Sequence, residues 1–251
     1  MAPKHFLTWG IHSVQGALTY APEGALELWL KGGEISSDLA NIQSLANDAG
    51  VATQTVPLKT LERLTDGSVH QGVVMRRRMP PGLILEDYLA RVSSSKSPPL
   101  LLVLDQVQDP QNFGACLRVA DGAGADAVVV SRGHCAQITG TVAKAASGSL
   151  DSVPIIAVGN LARALEQLGA AGLWLAGTVQ DAPATIYDCD FNLPLAVVMG
   201  SEANGLRRLT REKCDHLVRI PMTGRLSSLN VATATAITLF EVNRQRLRVA
   251  G

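Results

Sequence analysis

In this 251-residue chain Asn112, Arg118, Glu202, Ser228 and Asn230 are side chains of types that can each orient a hydroxyl or stabilise a developing negative charge. Asn112 and Arg118 are six residues apart, so both fit the N-terminal part of one helix, with Arg118 about two turns in. Taken alone they read as an N-cap and a surface arginine. A guanidinium with a pKa above about 12 accepts protons poorly at neutral pH and is better suited to stabilising an incipient alkoxide or a phosphate. Glu202 lies between Gly200 and Gly205, where a carboxylate can organise Asn112, Arg118 or Asn230. Ser228 and Asn230 belong to the loop from Ile220 to Val231, which Pro221 and Gly224 keep irregular and which runs into a helix beginning near Asn230. Both residues can cap that helix or reach a reacting centre, because a helix start leaves backbone N–H groups unpaired.

These residues need strands and helices to place them, and the second half of the chain supplies them. Apolar runs at Leu100 to Leu104, Ala127 to Val130, Ile155 to Val158, Leu173 to Ala176, Leu195 to Met199 and Leu217 to Ile220 alternate with helical patterns from Asn112, Thr139, Leu161 and Ala232. Continuous apolar strands between helices indicate an α/β fold with a mostly parallel sheet covered on both faces. No dinucleotide-type glycine fingerprint follows the first of these strands; Asp109-Pro-Gln-Asn112 occupies its place. Gly122 and Gly124 come after the helix and read as a C-cap and turn. Glycine-containing loops end late strands instead, at Gly177, Gly200 and Gly224. The last helix opens with Ala232 to Ala236, small residues that let other backbone pass close.

Residues 1–78 form a smaller alternating α/β pattern, with apolar runs at Leu26 to Leu30, Val51 to Val56 and Gly72 to Met75, helical patterns from Ser13 and Ser37, and Gly50 closing the second helix. Met79-Pro-Pro-Gly82 and Ser93 to Pro99 bracket a short amphipathic segment, which marks residues 79–99 as a linker and 100–251 as the second domain. With 47% hydrophobic residues there is enough apolar material for two cores. No apolar run reaches the roughly 18 residues of a membrane span, and the expected location is cytoplasmic. Cys116, Cys135, Cys189 and Cys214 lack metal-ligand spacing and read as buried free thiols.

Net charge is zero, yet from Leu206 onward nine Lys/Arg stand against three Asp/Glu, a surplus of six. Arg207, Arg208, Arg211, Lys213 and Arg225 are consistent with a basic face for a phosphate backbone and, equally, with solvated helix faces.

Asn112-Phe-Gly-Ala-Cys-Leu-Arg118, Met199-Gly-Ser-Glu-Ala-Asn-Gly205 and Ile220-Pro-Met-Thr-Gly-Arg-Leu-Ser-Ser-Leu-Asn-Val231, in that order, resemble the motifs of the SpoU (TrmH-like) 2′-O-ribose RNA methyltransferases of the SPOUT superfamily. Trp9-Gly-Ile-His-Ser-Val14 and Val69-His-Gln-Gly-Val73 resemble the substrate domain of the bacterial 23S rRNA guanosine methyltransferases in that family. The resemblance implies a deep C-terminal trefoil knot that binds S-adenosyl-L-methionine, an L30e/L7Ae-like RNA-binding unit over residues 1–78, and a homodimer. It makes Asn112, Arg118, Glu202, Ser228 and Asn230 the catalytic set, and gives the donor pocket to Gly177, Thr178, Met199, Gly200, Ile220, Met222 and Leu229. No metal is needed. Ala203 and Ala232-Thr233 depart from the family pattern, which has glycine and Ser-Val there.

The resulting expectation is methylation of rRNA, a guanosine of 23S rRNA or of an assembly particle. Two alternatives remain: the same chemistry on tRNA, and a catalytically silent RNA-binding or ribosome-assembly factor.

Overall fold

The structure is a computed structural model that describes residues 5–92 and 97–249. Ser93 to Lys96, part of the second breaker cluster, lie outside the described residues. Two compact units emerge, one of residues 1–81 with 137–152, the other of 82–136 with 153–251.

The first unit begins β1 (His5–Trp9), α1 (Ile11–Tyr20), β2 (Ala25–Lys31), α2 (Ser37–Asp48), β3 (Ala52–Val56), α3 (Leu58–Leu64) and β4 (Val73–Arg78). Its sheet runs β1-β4-β2-β3, antiparallel at β4 and parallel between β2 and β3. Val14, Ala17 and Leu18 of α1 and Leu39, Ile42 and Ala46 of α2 pack with Leu28, Leu30, Val73 and Met75 of the sheet. Ser36 Oγ accepts from the Leu39 N–H at the start of α2, and Gly50, at φ +67°, ends it in the expected left-handed turn.

The second unit starts with α4 (Leu85–Val92), the amphipathic segment of the expected linker. Leu85 and Tyr88 join the core of this unit, so the segment is part of a packed domain. Next come β5 (Leu100–Asp105), α5 (Pro110–Gly122) and β6 (Ala127–Ser131). The following α6 (Gly140–Ala146) and α7 (Ser149–Ser152) fold with the first unit. Asp151 there meets Arg77 of β4 in a bidentate ion pair, with side chains 1% and 2% exposed. Arg77 also lies over the Phe6 ring, 5.6 Å from its centroid. Gly16 of α1 approaches Gly148 so closely that a Cβ on Gly16 would sit 2.6 Å from the Gly148 Cα.

β7 (Ile155–Val158), α8 (Leu161–Ala170), β8 (Trp174–Thr178), β9 (Ala184–Thr185), β10 (Leu195–Gly200), α9 (Arg208–Glu212), β11 (His216–Arg219) and α10 (Val231–Val249) complete the second unit. Its seven-stranded sheet runs β7-β6-β5-β10-β8-β11-β9 with every pairing parallel. Leu161, Leu165 and Leu168 of α8 pack with Leu101, Val103, Val129, Ala196 and Val198. Thr235 of α10, fully buried, reaches Cys116 of α5 at 3.7 Å, so the small first turns of α10 do admit a close neighbour. The chain-order jump from β5 to its neighbour β10 brings the late loops beside the first βα turn. The elements that periodicity missed are short: β1, α3, the four-residue α7, the two-residue β9 and the five-residue α9.

Candidate functional site

Asn112, Glu202 and Asn230 meet. Asn230 Nδ2 donates to Asn112 Oδ1 at 2.8 Å and to Glu202 Oε1 at 2.7 Å, and the Val231 N–H donates to the same Glu202 oxygen at 3.2 Å. Asn230 Oδ1 accepts from Ala232 N and Thr233 N, capping α10. Each loop arrives at this point for a local reason. Asp109, not Asn112, is the N-cap of α5: Asp109 Oδ1 accepts from the Asn112 N–H at 2.8 Å, with Pro110 in the first helical position. Asn112 therefore sits in the first turn with its side chain free to bond elsewhere. The Glu202 loop is a tight hairpin, closed by paired backbone bonds between Ser201 and Gly205 and opened by Gly205 at φ +63°.

Two cavities share the Glu202 hairpin as a wall. The larger, about 690 Å³, is lined by six of the seven expected donor residues, Thr178, Met199, Gly200, Ile220, Met222 and Leu229, and also by Ser228 and Glu202. Thr178 and Met199 are register partners in adjacent strands, and Thr178 Oγ1 approaches Met199 Sδ at 3.2 Å. The smaller, about 360 Å³, is lined by Gln106, Gln108, Asp109 and Asn112 together with Glu202 and its neighbours. Apolar side chains such as Met199, Ile220, Met222 and Leu229 mixed with polar and charged ones suit a nucleoside-sized ligand in the first. Asp181 and Arg211, which the motifs did not single out, line it as a bidentate pair at 3.0 and 2.9 Å. The Arg211 hydrogen bond holds the Asp181 carboxyl below its ordinary range.

Three expected residues stand differently. Gly177 lines neither cavity; a Cβ there would lie 2.7 Å from Cys214 Sγ and 2.9 Å from Leu206 Cδ1, so what it serves is packing beneath the loop. Arg118 is exposed, lines no cavity described here and has no hydrogen bond or ion pair among the described residues. Six residues turn an α-helix by about 240° past a full turn, which takes Arg118 off the Asn112 face. Ser228 faces the larger cavity but does not cap α10, because Asn230 takes both of the cap hydrogen bonds found.

Sequence reasoning also missed Asp105. It ends the otherwise apolar β5 fully buried, and its carboxylate accepts from Arg207 Nε at 2.7 Å and Arg207 N at 3.0 Å. An acid closing a run of leucines was the available signal. The pair ties the exit of the Glu202 hairpin to the end of β5. Other members of the basic run are paired as well: Arg208 with Glu212, Arg211 with Asp181, Lys213 with Glu166. The surplus is thus much less of a free basic face than the count suggested. Of the cysteines, all free, Cys116 is buried while Cys135, Cys189 and Cys214 are only partly so. Burial, with the Glu202 charge adding to it, pushes the Cys116 thiol up to about 12.

Residues 99–240 match the model of the SpoU rRNA Methylase family. The chain belongs to that family. Residues 7–81 match a second family model, RNA 2′-O ribose methyltransferase substrate binding. Similar proteins include the 23S rRNA (guanosine-2′-O-)-methyltransferases RlmB of Haemophilus influenzae, 45% identical over 95% of this chain and 97% of the relative, and of Escherichia coli K12, 45% identical over 96% and 98%. Among solved structures, the SpoU methyltransferase AviRb from Streptomyces viridochromogenes superposes with a TM-score of 0.82 at 26% identity, covering 98% of this chain and 91% of that one. Its complex with the cofactor AdoMet gives 0.79 at 28% identity, with 97% and 91% covered. Against the SpoU pattern, the departures at Ala232 and Thr233 leave the α10 cap intact, because both residues meet Asn230 through backbone N–H groups. Ala203 lines both cavities, at the tip of their shared wall.

Proposed function

We propose that this SpoU chain transfers the methyl group of S-adenosyl-L-methionine to the ribose 2′-hydroxyl of a guanosine in 23S rRNA. The observation that carries the reading is the Asn112–Glu202–Asn230 network in the wall between two cavities, one for the donor and one for the acceptor nucleotide. The names of the 45% identical relatives supply the substrate, and the AdoMet complex of AviRb supports the donor.

The donor supplies an electrophilic methyl on a sulfonium centre, and the chain's own residues align the acceptor against it. Ile220, Met222 and Leu229 offer apolar surface for rings, and the Met199 to Ser201 backbone offers polar groups at a strand end. In the transfer an O–C bond forms as the C–S bond breaks, the sulfur leaves neutral, and the hydroxyl proton passes to water. Positioning and stabilisation of the forming alkoxide are the chain's main tasks. Glu202 orients Asn230 and through it Asn112, and Ser228 faces the donor cavity. Arg118, exposed and off the Asn112 face, acts by its charge on a phosphate of the bound RNA.

Residues 1–78 act as an L30e/L7Ae-like RNA-binding module, supported by the mixed sheet and the substrate-binding family match. The C-terminal strands and α10 form the trefoil knot. A homodimer forms through α10, where Phe240 and Leu247 are 52% and 74% exposed on one helix. Among the described residues no helix is long and apolar enough to cross a membrane, and we place the enzyme in the cytoplasm with its rRNA. The test is mapping of 2′-O-methyl marks on rRNA from cells with and without the gene, beside a titration with S-adenosyl-L-methionine. Loss of one 23S guanosine mark is expected; donor binding without any lost mark would favour a silent RNA-binding factor, and a lost tRNA mark the tRNA reading.

A further inference from the structure

A third cavity, about 480 Å³, opens beyond the carboxyl ends of β6 and β7 and belongs to neither ligand of the reaction above. Ser131 and His134 line it from the β6 side, Asn160 and Leu161 from the start of α8, Arg207 and Arg208 from the start of α9. No acidic residue lines it. The carboxyl edge of a parallel sheet is where α/β folds bind ligands. Arg132 and Arg163, next to lining residues in sequence, are exposed cations, and one Nη of Arg132 donates to the Ala157 carbonyl at 3.3 Å.

The nearby acids do not cancel this charge equally. Asp105 is fully buried under Arg207 and engages only its Nε and backbone N–H, so the Nη groups of Arg207 have no partner among the described residues. Glu212 holds Arg208 in an i,i+4 pair whose side chains are 51% and 76% exposed. An exposed pair of that kind is weak, and a phosphate can replace its carboxylate. The cavity also follows directly in sequence on the Glu202 hairpin, since Gly205 and Leu206 line the donor cavity and Arg207 lines this one.

We propose that this cavity is a docking track for the phosphate backbone of the RNA strand flanking the methylated nucleotide, with Arg208 and Arg132 as exchangeable phosphate contacts and Arg207 as the fixed one. The assignment rests on the RNA methyltransferase reading and adds to it where the strand runs.

The test is a salt series of fluorescence anisotropy with a single-stranded 23S rRNA fragment, on the full chain and on Arg132→Gln, Arg208→Gln, the double variant and Glu212→Gln. Donor titration on each variant reports the fold. Each arginine variant should lower the slope of log affinity against log salt by about 0.7 per lost phosphate contact. The double variant should bind roughly tenfold more weakly with unchanged donor affinity. Glu212→Gln, which frees Arg208, should bind RNA more tightly. Unchanged slopes and affinities in variants that still bind the donor overturn the track, as does weaker binding by Glu212→Gln. Wild-type protein that binds the donor but no RNA fragment overturns the track alone, while wild-type protein that binds neither sinks the methyltransferase reading along with it.

Discussion

Glu202 Oε1 takes two hydrogen bonds at once, from Asn230 Nδ2 at 2.7 Å and from the backbone N–H of Val231 at 3.2 Å. A single carboxylate oxygen thereby secures the side chain that joins α5 to the 220–230 loop and one of the otherwise orphaned donors of α10.

Glu202→Ala should therefore disturb geometry more than fold. Single-turnover methyl transfer should fall by about tenfold or more, as expected for lost alignment, with about 1 kcal/mol lost in denaturant unfolding. Glu202→Gln keeps an acceptor oxygen and should recover most of the stability. A wild-type rate in the alanine variant would remove the network from the mechanism.

Arg118 gives a cleaner separation, because it is exposed and without a hydrogen bond or ion pair among the described residues. Arg118→Ala should change stability by no more than about 0.5 kcal/mol while the rate falls about a hundredfold. Arg118→Lys should retain a measurable rate as a point charge. A general-base arginine predicts instead that the lysine variant shifts the rising limb of the pH-rate profile to lower pH, and measuring that profile decides between them.

Gly200 and Gly224 should behave oppositely. A Cβ on Gly200 would fall onto the Gly205 carbonyl and Leu206 N, whereas one on Gly224 meets nothing within 4 Å. Gly200→Ala should reshape the hairpin and weaken donor binding by about tenfold or more, through displaced backbone. Gly224→Ala should leave donor affinity within about twofold. Isothermal titration of the folded variants tests both; equal losses would break the link between hairpin shape and the donor cavity.

The buried Arg77–Asp151 pair makes residues 137–152 a working part of the first unit. Asp151→Ala should cost about 3–5 kcal/mol, because Arg77 is left buried without its counter-charge. For the same reason a chain beginning at Ser97 would leave Val142, Ala146 and Leu150, all buried in the whole protein, without cover. It should aggregate, measured by light scattering, rather than serve as a clean test of RNA affinity.

Alkali should destabilise the fold through its thiols. Burial raises Cys116 and Cys214 from an ordinary value of 9.0 to about 12. The unfolded thiols ionise first, so the contribution is complete below pH 9.0 and is lost between pH 9.0 and about 12 as the pH rises. Urea midpoints across that window should fall, and Cys116→Ala with Cys214→Ala should fall less steeply. Iodoacetamide at pH 8 should label neither residue until the protein is unfolded.

Local features of the sequence determined the fold class, the helix ends and the identity of the late loops. Continuous apolar strands, the left-handed turn at Gly50 and the cap at Asn230 each depend on neighbours within a few residues, so they are legible without coordinates. The meeting of Asn112, Glu202 and Asn230 is not, because it joins positions 118 and 28 residues apart through a sheet order in which β10 lies beside β5. Tertiary structure also sent residues 137–152 to the first unit, whereas the Asp109 cap and the offset of Arg118 from the Asn112 face are set by spacing within a few residues of α5. Above all it decided what the basic surplus means. A count of charges cannot see that Asp105 of β5, Asp181 of the turn after β8 and Glu166 of α8 meet Arg207, Arg211 and Lys213, since such pairing depends on distances that only the folded chain sets, whereas the Arg208–Glu212 pair is local, four residues apart on α9.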